Sequence, residues 1–347
     1  MKIQNYVELI EKSAKSRRRI LARGKPGCGK TQGAKQAAER LEMEFICSPL
    51  ALYDPSVIQG YPVRENGQAG HVLYGDVYKV FHAVKPTIWW LADMGQAGET
   101  TLKAVMRIIE NGEHMGKRLP DCVTVGGDTN DVSHGAGVYG MIEPLKDRFH
   151  TIIEVETDLD QVISYGLSNN WDTAVLAYLR NAPEALHDWK PEKSMKSGGA
   201  TPRGWEYVSE WLAMGVDDRE VICGKVGDGR GTQFLAFREM MNELPDINMV
   251  MMQPDTAPVP TNPSAQWLIS MAVASKINNK TFGQGLKYLT RLPQMFRAGA
   301  LLDAMRAEDV SRASKRLPKD YKPISSSRDF TAWAVSKDGK EIQEGGK

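Results

Sequence analysis

Gly24-Lys25-Pro26-Gly27-Cys28-Gly29-Lys30-Thr31 is the stretch that decides how this chain is read. It satisfies the spacing G-x-x-x-x-G-K-[ST], follows the short apolar run Ile20-Leu21-Ala22, and leads into a helical run from Gln32 to about Glu42. In that strand–loop–helix setting the loop's backbone N–H groups turn inward as an anion cradle, and the helix N-terminus adds positive potential. Gly24, Gly27 and Gly29 let the backbone come close and take up positive φ where needed. Lys30 then reaches the β- and γ-phosphates of a nucleotide, and the Thr31 hydroxyl binds Mg2+. With average residue usage, a chain of this length matches the pattern by accident about once in a hundred. The predicted phosphate-binding set is Gly24, Pro26, Gly27, Cys28, Gly29, Lys30, Thr31 and Gln32. The helix N-terminus could also lower the Cys28 thiol pKa, although a small filling side chain is the plainer reading.

Working outward, a short helix over 1–16 carries Tyr6, Leu9 and Ile10 on one face. Strands are predicted at Phe45–Cys47, Thr87–Leu91, Val123–Gly126 and Thr151–Val155, with helices at 77–84 and 100–110. The Gly- and Pro-rich stretch from Asp54 to Gly75 reads as loops or a hairpin. Strands therefore alternate with helices from about 17 to 156, the pattern of a parallel sheet covered on both faces.

A nucleotide site of this kind needs an acidic residue at the end of a neighbouring strand. Thr87-Ile88-Trp89-Trp90-Leu91-Ala92-Asp93 is the one good candidate, and it ends in a single carboxylate where a pair is usual. In one register Asp93 is the metal-side acid and Met94 stands where the water-polarising residue belongs. In the other, Ala92 occupies the metal side and Asp93 the water side. Val123-Thr124-Val125-Gly126-Gly127-Asp128-Thr129-Asn130 is a second apolar strand with polar residues at its C-terminal end, the end that faces ligands in parallel sheets. Asn130 there either orients an attacking water or serves as a turn residue.

After Asp158 helical periodicity dominates. Lys190–Gly199 reads as a loop, and Pro254–Pro263, with four prolines, as a boundary. Three regions follow: an α/β core over 1–156, a helical lid over 157–253, and a helical C-terminal segment over 254–347 whose tail after Gly339 is frayed. Two further arginines stand out. Arg148, in Leu145-Lys146-Asp147-Arg148-Phe149, is on spacing alone a surface charge. Arg203 falls in the first turn of a helix capped by Thr201 with Pro202 at its first position. A cation opposes the helix dipole there, which suggests an anionic partner as readily as a solvated side chain.

The 347 residues suffice for two domains, and 41% apolar with 25% charged residues is ordinary globular composition. Lys+Arg total 44 against Asp+Glu 43, so the net charge of +1 gives no whole-protein footprint for nucleic acid. Arg17–Arg19 or Lys315–Arg316 could still form a local basic patch. No apolar stretch approaches membrane-spanning length. The four cysteines lack metal or redox spacing, the six histidines lack ligand spacing, and no secretory signal is evident, so a cytoplasmic location is expected.

Taken in order, GKPGCGKT (24–31), LYDPSVIQGYP (52–62), WWLADMGQA (89–97), VGGDTN (125–130), PLKDRF (144–149) and ATPRGW (200–205) resemble the AAA+ ATPases, within them the MoxR-like branch, and most closely its bacteriophage-encoded members. RLPQMFRAGALLDAM (291–305) is similar to the helical tail of the phage proteins. The resemblance implies a P-loop AAA+ core with a parallel sheet, a helical lid, ATP and Mg2+ as ligands, and a homo-oligomeric, hexameric ring in the (host) cytoplasm. It also implies roles: Lys30 and Thr31 as the Walker A pair, Asp93 in Walker B with Ala92 in the metal-side slot, Asn130 as sensor 1, Arg148 as a finger acting on the neighbouring subunit's nucleotide, and Arg203 as sensor 2. Asp93, Asn130, Arg148 and Arg203 are thus the expected catalytic residues, and Thr31 and Asp93 the residues expected to bind the metal. Partners implied are a protein substrate or a protein with a von Willebrand A domain. The departure at Ala92-Asp93 leads us to expect slow hydrolysis. Three functions fit: an oligomeric motor that remodels a macromolecule, a nucleotide-switched ring or clamp with little turnover, and a protein that handles nucleic acid. Tyr61 and Tyr74 are candidates for a pore.

Overall fold

Five parallel strands form one sheet in the order β2-β3-β4-β1-β5: β1 (Ile20–Arg23), β2 (Glu44–Pro49), β3 (Thr87–Ala92), β4 (Val123–Thr129) and β5 (Thr151–Glu154). The computed structural model describes residues 1–65, 68–130, 141–189, 199–240 and 244–345. Contacts divide the chain into two units, Met1–Thr157 and Asp158–Lys347.

All six residues of β3 and all seven of β4 are buried, as expected of strands covered on both faces by helices. Alternation sorts their side chains. Trp89, Leu91, Val123 and Val125 pack on one face with Val105, Ile108 and Ile109 of α3 (Glu99–Asn111). Ile88, Trp90 and Ala92 pack on the other, with Tyr6, Val7 and Ile10 of α1 (Ile3–Ser16) and Ala34, Ala37 and Ala38 of α2 (Lys30–Arg40). The small alanine face lets α2 lie close to the sheet, and Gly33 sits directly under the Tyr6 ring. Between β2 and β3, Tyr61–Glu65 and Gln68–Val72 pair as an antiparallel hairpin.

Two boundaries differ from the sequence expectation in ways that matter. The helix after the loop begins at Lys30, two residues before Gln32, so Lys30 and Thr31 belong to its first turn. The strand predicted to stop at Gly126 runs through Thr129. Gly126 and Gly127 lie inside it, and the Trp90 ring fills the space over Gly126: a Cβ there would lie 2.5 Å from it.

The second unit is helical, with one core that runs from Ile163 to Ile342. Residues on both sides of position 254 contribute to it, and the proline-rich stretch simply joins the helix Ile247–Met252 to Pro263–Lys276. The frayed tail expected after Gly339 is corrected: Lys337–Gly345 is a helix. Ile342 is buried in the core at 3% exposure, and Asp338 pairs with Arg297 and accepts from the Trp333 indole at 3.1 Å. One apolar residue among polar ones leaves no periodicity to read. Most of the Lys190–Gly199 loop prediction, residues 190–198, lies outside the described residues.

Candidate phosphate-binding site

The loop between β1 and α2 has the backbone its glycines anticipate. Gly27 and Gly29 sit at φ 74° and 94°, where a side chain would be strained. Gly24 answers a different need, since a Cβ there would lie 2.6 Å from the Val155 carbonyl oxygen.

Lys30 is only 7% exposed, yet among the described residues its ammonium meets no carboxylate. Nζ donates to the carbonyl oxygens of Gly24 (2.9 Å) and Lys25 (3.1 Å) and to Asn130 Oδ1 (2.8 Å). Three donors thus meet three neutral acceptors, and the charge is solvated but not neutralised. From the other side the buried Tyr6 hydroxyl donates to the Lys30 carbonyl at 3.0 Å, which fastens α1 to the loop's exit. Burial pushes the Tyr6 phenol well above its usual range, with help from the Asp128 charge.

Thr31 Oγ1 donates to Asp128 Oδ2 at 2.7 Å. The same oxygen accepts from Trp90 Nε1 at 2.6 Å, and Oδ1 accepts from the Asp93 backbone N–H at 3.1 Å. Asp93 itself is half-buried in a left-handed conformation (φ 53°, ψ 39°) and starts the short turn Met94–Gln96. The structure therefore gathers Lys30, Thr31, Asn130, Asp128 and the Asp93 backbone at the C-terminal ends of β3 and β4. Cys28 is buried with its sulfur 4.0 Å from Lys30 Nζ. Burial raises the thiol pKa and outweighs the lysine's pull, which reverses the lowering expected from the helix N-terminus.

Arg148 is held elsewhere in the same unit. Its Nε donates to Glu110 Oε2 at 3.1 Å, and its Nη1 donates to the Pro144 carbonyl. Arg203 lies in the second unit, exposed in the first turn of Pro202–Ala213, where Thr201 caps the Gly204 N–H at 3.0 Å. Lys225 nearby has its pKa lowered by burial and then by the Arg203 charge, and it lies 4.6 Å over the Tyr207 ring. Of the basic patches, Arg17 pairs with Asp121 at 2.9 Å and Arg316 donates to Asn169 at 2.5 Å. Tyr61 and Tyr74 stack on each other at 4.7 Å.

Sequence reasoning misses Asp128. It is legible only as one polar residue after an apolar run; the strand that buries it and the register that sets it beside Ala92 come from the sheet.

No protein-family model matches the chain, and no curated protein does. Solved structures do. The Thermotoga maritima RuvB Holliday junction branch migration motor is 13% identical over 76% of this chain and 79% of that one, with a TM-score of 0.38. Brucella abortus NtrX matches in complex with ATP (13% identity, 98% and 68% of the two chains, TM-score 0.40) and with ADP (14%, 98% and 68%, 0.41). The unit Met1–Thr157 is, by its own sheet and loop, an α/β fold of the P-loop type. Among the described residues no helix is long and apolar enough to cross a membrane.

Proposed function

We propose that this chain is a AAA+ ATPase of the MoxR-like branch, which binds ATP with Mg2+ at the interfaces of a homo-oligomeric ring and couples slow hydrolysis to remodelling of a macromolecular partner. The observation that carries the nucleotide reading is the buried, charge-unmatched Lys30 ammonium, set in a glycine loop at a helix N-terminus and bonded to Asn130 on the adjacent strand. An anion is the natural complement of such a group. A nucleotide's phosphates would replace the loop carbonyls as Lys30's partners, with Thr31 on the metal and Asn130 near the attacking water.

The sheet order, with the loop-bearing strand between β4 and the edge strand β5, supports the AAA+ reading. In it, Arg148 serves the neighbouring subunit's nucleotide, which fits an arginine that bonds to Glu110 and Pro144 and not to its own loop. Arg203 acts from the helical lid over 157–253, where its exposed place against the helix dipole suits an anionic partner. Residues 254–347 are the helical segment beyond that lid. A protein substrate, or a partner carrying a von Willebrand A domain, follows from the MoxR-like reading.

The test is steady-state Mg-ATP hydrolysis across a range of protein concentrations, with Lys30→Ala as the blank. Turnover per subunit should rise with concentration as shared sites assemble. Tight binding with no turnover at any concentration would favour a nucleotide-switched ring or clamp.

A further inference from the structure

Asp128 is 1% exposed, and its two oxygens meet only neutral donors: the Thr31 hydroxyl, the Trp90 indole and the Asp93 amide. Among the described residues no Lys, Arg or His pairs with it. A buried carboxylate left without a counter-charge is costly. Its nearest strand neighbour explains the placement. Leu91 pairs with Gly127, so the next positions, Ala92 and Asp128, stand side by side on one face of the sheet. Ala92 offers a methyl where the strand's own acid would stand, and Asp128 offers a carboxylate one strand over. Trp90, two residues before Ala92 and on the same face, crosses the side-chain-free Gly126 to hold that carboxylate by its N–H.

The donor set fits Mg2+. This ion keeps several waters and needs only one or two carboxylates besides the substrate's phosphates, so a cage of protein ligands is unnecessary. Among the described residues no cluster of three His, Cys, Asp or Glu gathers as one. Thr31, donating its hydroxyl hydrogen bond to Asp128, keeps its oxygen lone pairs for a metal.

We propose that Asp128, on β4, is the carboxylate that holds the hydrated Mg2+ of the bound nucleotide, in place of an acid at position 92. The inference rests on the nucleotide reading above. The metal-side role expected of Asp93 passes to Asp128, and the Asp93 backbone N–H helps to orient it. The chain thereby retains a metal-side acid despite Ala92.

A fluorescent ADP analogue titrated into the full chain, with Mg2+ and with EDTA, separates the two ideas. The unaltered chain should bind more tightly in Mg2+ by about 10-fold or more, and Asp128→Asn should lose that gain while still binding in EDTA. Asp128→Asn combined with Ala92→Asp should recover it, because the carboxylate returns one strand over. An unchanged Mg2+ gain in Asp128→Asn overturns the proposal and leaves the nucleotide reading standing. An unaltered chain that binds no nucleotide in either buffer overturns both. If Asp128→Asn shows no thermal unfolding transition, Asp128→Cys is read instead with Cd2+, which thiolates prefer. Cd2+ tightening binding to this variant more than to the unaltered chain supports the assignment; no such difference overturns it.

Discussion

Each unit buries a charged cluster, and the two are satisfied in opposite ways. In the second unit Arg180 donates to both Asp160 (2.6 Å) and the fully buried Asp303, and Arg306 reaches Asp160 at 3.0 Å. Burial pulls the Asp160 carboxyl upward, but the two guanidiniums outweigh it and its pKa falls. In the first unit Lys30 and Asp128 are as deeply buried, yet their partners are carbonyls, an amide oxygen, a hydroxyl, an indole and a backbone N–H. The first network is closed: cation meets anion and tethers the helices that carry them. The second is open: among the described residues each charge is held by neutral groups alone. Burial of charge by itself does not mark a functional site, and it is the missing counter-charge that sets the proposed nucleotide site apart from the helical cluster.

The contrast can be broken at several points. The largest effect is expected at Arg148, which lies outside both clusters. On the shared-site reading proposed above, Arg148→Ala should lower turnover by about 1,000-fold or more with nucleotide affinity unchanged, since a finger would act on the neighbour's transition state. Turnover at the parental rate would end the shared-site model.

Removal of the cation from each cluster should have different costs. Arg180→Ala strands Asp303 in the core and should lower stability by about 3–5 kcal/mol, read as a shift of the urea midpoint. Lys30→Ala strands only neutral acceptors and should change stability by about 1 kcal/mol, while nucleotide affinity drops by about 100-fold. Equal destabilisation by the two variants would show that the loop cluster is as closed as the helical one.

Smaller effects sharpen the picture. Trp90→Phe removes one donor from Asp128 and should lower thermal stability by about 1–3 kcal/mol. Cys28 gives a pH signature. Burial raises its pKa above the ordinary 9.0, so the folded state keeps a proton that the unfolded chain releases. Stability is then unaffected below about pH 9 and falls by up to about 1.4 kcal/mol per pH unit above it. Cys28→Ala should flatten that fall between pH 9 and 10, measured by urea unfolding at each pH; an unchanged slope would remove Cys28 as its source.

The features legible in the sequence are local ones. The glycine loop, its strand and its helix are contiguous, and their spacing is itself the chemistry. The alternation of apolar runs with helical periodicity up to about 156 implies the parallel sheet, because strands buried on both faces must be apolar throughout. Asn130 is placed by the rule that strand C-termini face the ligand, and it does meet Lys30. The helix at Lys337–Gly345 escapes such a reading because it is held by Ile342 in the helical core and by Asp338 pairing with the distant Arg297, not by its own pattern.

Sequence alone thus determined the loop and the kind of sheet that carries it, since each is written in neighbouring residues. Only the tertiary structure decided which carboxylate serves that loop. Thr31 and Asp128 are 97 positions apart and Lys30 and Asn130 are 100 apart, and a parallel sheet joins such residues through register, which no stretch of sequence states. With β3 and β4 aligned, the methyl of Ala92 and the carboxylate of Asp128 exchange the places a sequence motif assigns, and the Trp90 ring over Gly126 locks the exchange in place.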